Sequence, residues 1–188
     1  TEDHLDYHKT MEKYKLAKGK LFTMCNVGIF NIDDPVGRDY AEVMSSKTGT
    51  KIVTYALERP ATLRAINLNP TPQGTSFDLL FNSKVYNVNI NLPGKFNVYN
   101  ILAAIGTAME LGVPIDSIIK SLRKIVGAKG RFESLVSIKG YSVVVDYAHT
   151  PDALEKVLVT AKEFNPNNVI TIFGCGGDRD KMKRAIMG

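Results

Sequence analysis

The sequence predicts an α/β chain in two units: a mixed sheet with helices and an antiparallel ribbon, then a fresh strand–loop–helix–strand run beginning near residue 130. Three observations predict this class. Apolar positions switch between three-or-four-residue spacing and strand-like runs along the whole chain. Three consecutive runs, LRAINL, TSFDLLF and KVYNVNIN, are separated only by polar or Pro/Gly turns, the signature of an antiparallel ribbon. Gly127 and Gly130 then interrupt the pattern, and a new β-α-β series starts.

The elements follow in order. Met11, Tyr14, Lys15, Lys18, Leu21 and Phe22 recur at helical spacing and predict a helix over 8–22, with Lys18 on one face. VGIFNI (27–32) reads as a strand, and Pro35 opens a helix over DYAEVMSS. KIVTYAL follows the KTGT turn as a strand, and the three ribbon strands come next. After Pro93-Gly94, Val98, Ile101, Leu102, Ile105, Ala108 and Met109 repeat at helical spacing until Gly112 stops them, and a second helix is expected from Ile115 to Ile125. Beyond the boundary come FESLVSI and YSVVVDY, a helix from Pro151 to Phe164, and a strand NVITIFG. Thr150 suits the N-cap, Pro151 the first helical position and Asp152 the positive end of the helix dipole.

Composition narrows the function classes. At 188 residues, 44% hydrophobic and 23% charged, the chain fits one medium domain or parts of two and is neither disordered nor fibrous. No run approaches the roughly 18–20 apolar residues of a membrane helix, and the first residues are too polar for a signal peptide. A soluble, cytoplasmic protein without membrane insertion is the expectation. Cys25 and Cys175 are the only cysteines, so neither a disulfide framework nor a four-cysteine zinc site can form within one chain. The net charge of +5 suits an anionic partner. With no Trp and no basic run interleaved with aromatics, a small phosphorylated ligand is expected and nucleic acid is not.

Four clusters and one arginine can carry chemistry. His4 and His8, four apart in DHLDYH, could share a helix face and bind a divalent metal, but the spacing fixes no third ligand, and the ordinary reading is that they cap the helix start. Asn97 and Asn100 flank a helix start, where asparagine ordinarily caps; alternatively their amides read a nucleobase edge near a phosphate-favouring helix N-terminus. Asp146 and His149 emerge from an apolar run at a strand end, where packing has no use for them, so a role toward ribose, metal or phosphate is favoured. The segment GCGGDRDKMKR offers glycines for close backbone approach and cations, Arg179 and Lys183 among them, to clamp an anion; a solvated basic helix start is the alternative. It is not a P-loop, because Gly-x4-Gly-Lys-Ser/Thr occurs nowhere in the chain. Arg131, at the boundary, is either a surface arginine or a planar cation that stacks on a base or binds phosphate.

In order, DHLDYH, YKLAKGKLF, LPGKFNVYNILAA, GRFE, VVVDYAHTPDAL and FGCGGDRDKMKR resemble the Mur ligases of peptidoglycan synthesis, most closely the branch that adds the third amino acid. The Asn-rich helix and the GRF-like hinge are also shared with folylpolyglutamate and cyanophycin synthetases. The resemblance implies part of a Mur ligase central ATPase domain, its second half, over residues 1–130, and the beginning of a Rossmann-like C-terminal ligase domain over 131–188. It implies an ATP-dependent amide ligase that adds meso-diaminopimelate or L-lysine to UDP-MurNAc-L-Ala-D-Glu through an acyl phosphate.

By the same resemblance, His4 ligates magnesium, and Lys18 is carbamylated by carbon dioxide so that it too can hold Mg2+. Asn97, Asn100, Arg131 and Asp146 surround the ATP, while His149, Arg179 and Lys183 act at phosphate or substrate. Family members carry a P-loop and a UDP-binding domain upstream of DHLDYH, so the chain is expected to be an excised piece, inactive as a ligase by itself. Its oligomeric state cannot be read from the sequence. A non-catalytic nucleotide-binding module and a cyanophycin- or folylpolyglutamate-synthetase-type ligase are the alternatives.

Overall fold

The computed structural model describes residues 9–47, 49–176 and 183–188. In chain order the elements are α1 (Met11–Gly19), a 3-10 turn (Lys20–Thr23), β1 (Val27–Asn31), α2 (Pro35–Lys47), β2 (Lys51–Ala56), β3 (Leu63–Thr71), β4 (Gly74–Phe81), β5 (Lys84–Ile90), α3 (Lys95–Glu110), α4 (Ile115–Leu122), β6 (Glu133–Val136), β7 (Ser142–Val145), α5 (Pro151–Glu163) and α6 (Lys183–Met187).

The first five strands form one sheet in the order β1-β2-β3-β4-β5. β1, β2 and β3 run parallel, whereas β3-β4-β5 is the expected antiparallel ribbon. Alternation along the strands assigns the faces. Phe30 of β1 points to α2, where it is buried with Ala41 and Met44 against Phe22, Tyr40 and Ile52. On the opposite face Val53, Leu63, Ala65, Phe77, Leu79, Val88 and Ile90 pack against Val98, Ile101, Leu102 and Ile105 of α3 and Ile118 and Leu122 of α4. This larger cluster is the core. α2 starts so close to the end of β1 that a β-carbon at Gly37 would collide with the carbonyl oxygen of Asn31.

The connection from β2 to β3 is unusual. Parallel neighbours ordinarily need a crossover of a dozen or more residues, yet here β2 and β3 pair only through Tyr55–Leu63 and Ala56–Arg64. A loop over 57–62 can therefore join them directly. Reciprocal bonds close it, with the Thr54 N–H donating to the Thr62 hydroxyl and the Thr62 N–H to the Thr54 hydroxyl (3.2 and 3.0 Å). Its first three N–H groups, from Leu57, Glu58 and Arg59, donate to the Asp33 carboxylate at 2.7, 3.1 and 3.2 Å. The Tyr99 hydroxyl of α3 adds a fourth bond at 2.8 Å. Burial alone would raise the Asp33 pKa, but these donors outweigh it and hold the carboxyl below its ordinary value. Burial, and then the bond to Asp33, push the Tyr99 phenol up.

The second unit departs from the expected β-α-β start. β6 and β7 form an antiparallel hairpin, and α5 follows as expected, its Thr150 hydroxyl accepting from the Ala153 N–H. Residues 168–174, expected as a strand, pair with no other strand among the described residues, and Ile170 and Ile172 are 90% and 96% exposed. Strand propensity is present there, but a strand exists only with a neighbour for its backbone groups, and β7 pairs with β6 alone. The helix expected over 8–22 ends at Gly19 and tightens into the 3-10 turn, and that expected to reach Ile125 ends at Leu122. No described helix is long and apolar enough to cross a membrane.

Leu79→Ala, which empties a fully buried site, should lower unfolding free energy in urea by about 2–5 kcal/mol. Gly37→Ala should lower it by about 1–3 kcal/mol through overpacking, although alanine is the better helix former. Asp33→Asn should be less stable than wild type at neutral pH. The depressed carboxyl contributes fully above its unfolded value of about 4, and the contribution fades as pH falls through the lower folded value. Urea titrations at a series of pH values should therefore show the gap between the two proteins narrowing in acid.

Candidate functional site

β7 ends at Val145, and the chain turns sharply because Asp146 bonds in two directions. One carboxylate oxygen accepts the Ala148 N–H and the other the Phe132 N–H, both at 2.7 Å. The Asp146 side chain thus clamps its own loop to the segment ahead of β6. Tyr147 reinforces the clamp by donating its N–H to the carbonyl of Gly130 at 2.8 Å, and Glu133 accepts the Gly130 N–H at 2.9 Å.

Three side chains line up on this framework. The Arg131 guanidinium lies 5.2 Å from the Tyr147 ring centroid, a cation–π distance, and the Tyr147 and His149 rings meet edge-on with centroids 5.0 Å apart. His149 Nδ1 sits 2.9 Å from the Tyr147 carbonyl. A carbonyl only accepts, so Nδ1 carries the proton and Nε2 is the free nitrogen. The 146–149 loop forms one wall of a cleft of about 320 Å³, Gly174, Cys175 and Gly176 form the other, and Lys183 closes it from the first turn of α6. A second cleft, about 390 Å³, lies between α2 and β1 and is lined chiefly by Phe22, Ile29, Phe30, Tyr40 and Tyr55; it holds none of the expected site residues.

The start of α3 reaches this loop through aromatic contacts. Phe132 is 1% exposed, and its ring packs edge-on against Phe96 of α3 at 5.7 Å and Phe164 beyond α5 at 6.0 Å. Its φ of 46° is a strained value for a bulky side chain, sustained by this packing and by the bond to Asp146. α3 begins at Gly94 with φ 91° and no side-chain cap, so its first N–H groups and dipole favour an anion. A β-carbon at Gly94 would press on Thr160 of α5, so the two units touch here.

Asn97 is no N-cap: it lies inside the first turn, buried, donating to the Pro93 carbonyl at 2.8 Å and accepting from Asn100 at 3.4 Å. Asn100 is exposed. The fold therefore links Asn97, Asn100, Arg131, Asp146, His149 and Lys183 through Phe132 and the cleft. His4 with the DHLDYH segment, and Arg179 with residues 177–182, lie outside the described residues.

Lys18 is set apart from that group. It is exposed on α1, its ammonium 5.6 Å from the Tyr14 ring centroid. α1 is held to α2 by the Lys15–Asp39 ion pair at 2.7 Å and by the Tyr40 hydroxyl on the Lys15 carbonyl. The mutual hydrogen bond raises the Lys15 pKa and lowers that of Asp39. Among the described residues no three His, Cys, Asp or Glu converge to hold a metal ion. Asp146 already accepts two backbone donors, and Lys183 is the cation among the residues lining its cleft, which suits phosphate more than Mg2+. Sequence reasoning missed Tyr147, although it stands between the two residues singled out, and Phe132, whose backbone conformation leaves no sequence signal.

Two family models match the chain, the Mur ligase middle domain over residues 1–108 and the Mur ligase glutamate ligase domain over residues 130–188. The chain belongs to the Mur ligase family. Among curated Mur ligases, the UDP-N-acetylmuramoyl-L-alanyl-D-glutamate–2,6-diaminopimelate ligase of Alkaliphilus metalliredigens is 44% identical over 189 residues, and that of Halalkalibacterium halodurans 46% over 193. Both alignments take in 100% of this chain and only 38% and 39% of those relatives. A solved structure of a ligase of the same name superposes with a TM-score of 0.75 at 36% identity, over 100% of this chain and 39% of that one. The folylpolyglutamate synthetase of Lactobacillus casei shares the fold, with a TM-score of 0.65 at 17% identity over 86% of this chain and 42% of that one.

Phe132→Ala removes the ring that joins α3 to the 146–149 loop. It should lower unfolding free energy by about 3–5 kcal/mol, read in urea, and nuclear magnetic resonance should show Tyr147 and His149 signals broadened or shifted.

Proposed function

We propose that this chain is the ATP- and phosphate-handling portion of a cytoplasmic ligase that joins diaminopimelate to UDP-MurNAc-L-Ala-D-Glu. Residues 1–130 are the second half of its central ATP-binding domain and 131–188 the beginning of its C-terminal ligase domain. The observation that carries the reading is the cleft at the end of β7, lined by His149 and Lys183 and by Tyr147, on whose ring Arg131 stacks, and linked by Phe132 to the uncapped start of α3. The identity of 44–46% along the whole chain supports the choice of reaction, and both relatives are 2,6-diaminopimelate ligases, which supports diaminopimelate as the amino acid.

In such a reaction ATP, with Mg2+, phosphorylates the peptide carboxylate, and the incoming amine displaces phosphate through a tetrahedral intermediate. The residues described here serve it electrostatically. Arg131 offers a planar face to a base or a fork of donors to phosphate. Lys183 supplies a point charge, and His149, which lines the cleft with its Nδ1 engaged by the Tyr147 carbonyl, can offer its other ring nitrogen to a phosphate oxygen. The start of α3 adds backbone N–H groups with Asn97 and Asn100 beside them. Lys18 as a carbamate would become an anion able to hold Mg2+, a role the exposed ammonium cannot take. His4 and Arg179 belong to the same proposed machinery, at the metal and at phosphate.

Phosphate release by the full-length protein tests the reading, with ATP, Mg2+ and the UDP-muramoyl dipeptide, and with meso-diaminopimelate and L-lysine in separate tubes. Release dependent on diaminopimelate is expected, with Lys18→Ala and Lys183→Ala each reduced by about 100-fold or more. No release with either amino acid overturns the proposal.

A further inference from the structure

Among the described residues, one heavily bonded side chain has no part in the proposed reaction: Asp33 accepts four hydrogen bonds. Asp33 follows β1, at the carboxyl edge of the parallel strands, where open α/β sheets hold their ligands. Its Oδ2 takes the Leu57 and Glu58 N–H groups and the Tyr99 hydroxyl, and its Oδ1 takes the Arg59 N–H. An ionised carboxylate has about four acceptor sites, so one with four protein donors has little left for a metal or a transferred proton. Asp33 is an anchor.

What it anchors is specific. The loop it holds is also gripped by Arg64, whose guanidinium donates to the carbonyls of Leu57 and Glu58 at 3.4 and 3.2 Å. Glu58 in turn pairs with Lys95 at 3.2 Å. Lys95 and Tyr99 are four apart and so share one face of α3. That face is fastened at Lys95 to the turn itself and at Tyr99 to the carboxylate that holds the turn, which sets the rotation of the helix about its axis. Rotation decides where Asn100 emerges, and axial position decides where the uncapped N–H groups point.

We propose that Asp33 is a positioning residue for the nucleotide: by locking the Leu57–Arg59 turn to Tyr99, it sets the register of the α3 start toward an adenosine phosphate. This inference rests on the ligase reading above. Neither Asp33 nor Tyr99 touches the nucleotide; both act through Asn100 and the helix N-terminus.

The test uses the full-length protein and Tyr99→Phe, which deletes one hydroxyl and keeps the ring. The expected result is a KM for ATP raised by about tenfold, the lower end for a hydrogen bond to a charged group, with a much smaller change in kcat and in the KM for the UDP-linked substrate. Asp33→Asn should act in the same direction, and in the double variant the two effects should be less than additive. Ile105→Val, in the buried stretch of the same helix, is the control: it should lower thermal stability with no shift in the KM for ATP. An unmoved KM in Tyr99→Phe, or an equal shift in Ile105→Val, overturns the inference. Failure of the wild-type protein to bind ATP, measured by calorimetry, overturns the ligase reading itself and this inference with it, whereas wild-type binding with an unaltered Tyr99→Phe affinity overturns the positioning role alone.

Discussion

A single carboxylate, Asp33, joins three segments that the chain visits far apart: the end of β1, the loop after β2 and the first turns of α3. The sheet depends on it in a direct way. β2 and β3 overlap by only two residue pairs, so the loop between them has little ladder to hold it, and the N–H of the buried Leu57 would be left without a partner. The carboxylate satisfies it and the next two N–H groups of the loop at once. With that loop fixed, β3 enters the sheet beside β2 in the right register, its Leu63 and Ala65 reach the core, and the ribbon that follows is placed.

The second unit is organised by a different constraint. A buried phenylalanine at positive φ is costly, by about 1–3 kcal/mol, and Phe132 is sustained by ring contacts to both sides and by an N–H bond to Asp146. The same turn puts Arg131 against Tyr147. Packing and chemistry are thus inseparable: the residue that strains the backbone is the neighbour of the cation, and the carboxylate that relieves an orphan N–H also shapes the loop carrying His149.

Local chemistry was legible in the sequence wherever it was sufficient. Thr150, Pro151 and Asp152 act on adjacent backbone, and the helix they announce is present. The ribbon strands were legible because Thr75, Phe77 and Leu79 alternate inward on β4. Long-range partners left less trace. In the pair Asp33-Asp34, Asp34 bonds to the N–H groups of Val36 and Gly37 at the start of α2, a familiar local pattern, while its neighbour makes contacts 24 to 66 residues away. NVITIF has every local mark of a strand, yet pairing is a property of two segments and not of one. Of the candidate site, the Asp146 and His149 positions stood out because polar residues at a strand end have no packing use. Tyr147 did not, since an aromatic there also reads as core.

The unpaired stretch has a practical side. From Phe164 to Gly177 no residue carries a charge, and Val169, Ile170, Thr171, Ile172 and Phe173 form a β-prone window without proline or glycine. The net charge of +5 resides elsewhere, and the repulsion it sets up between copies weakens as ionic strength rises. Produced alone, the chain carries its colloidal weak point in that window, so its solubility limit will follow salt and concentration well before the folded core begins to melt.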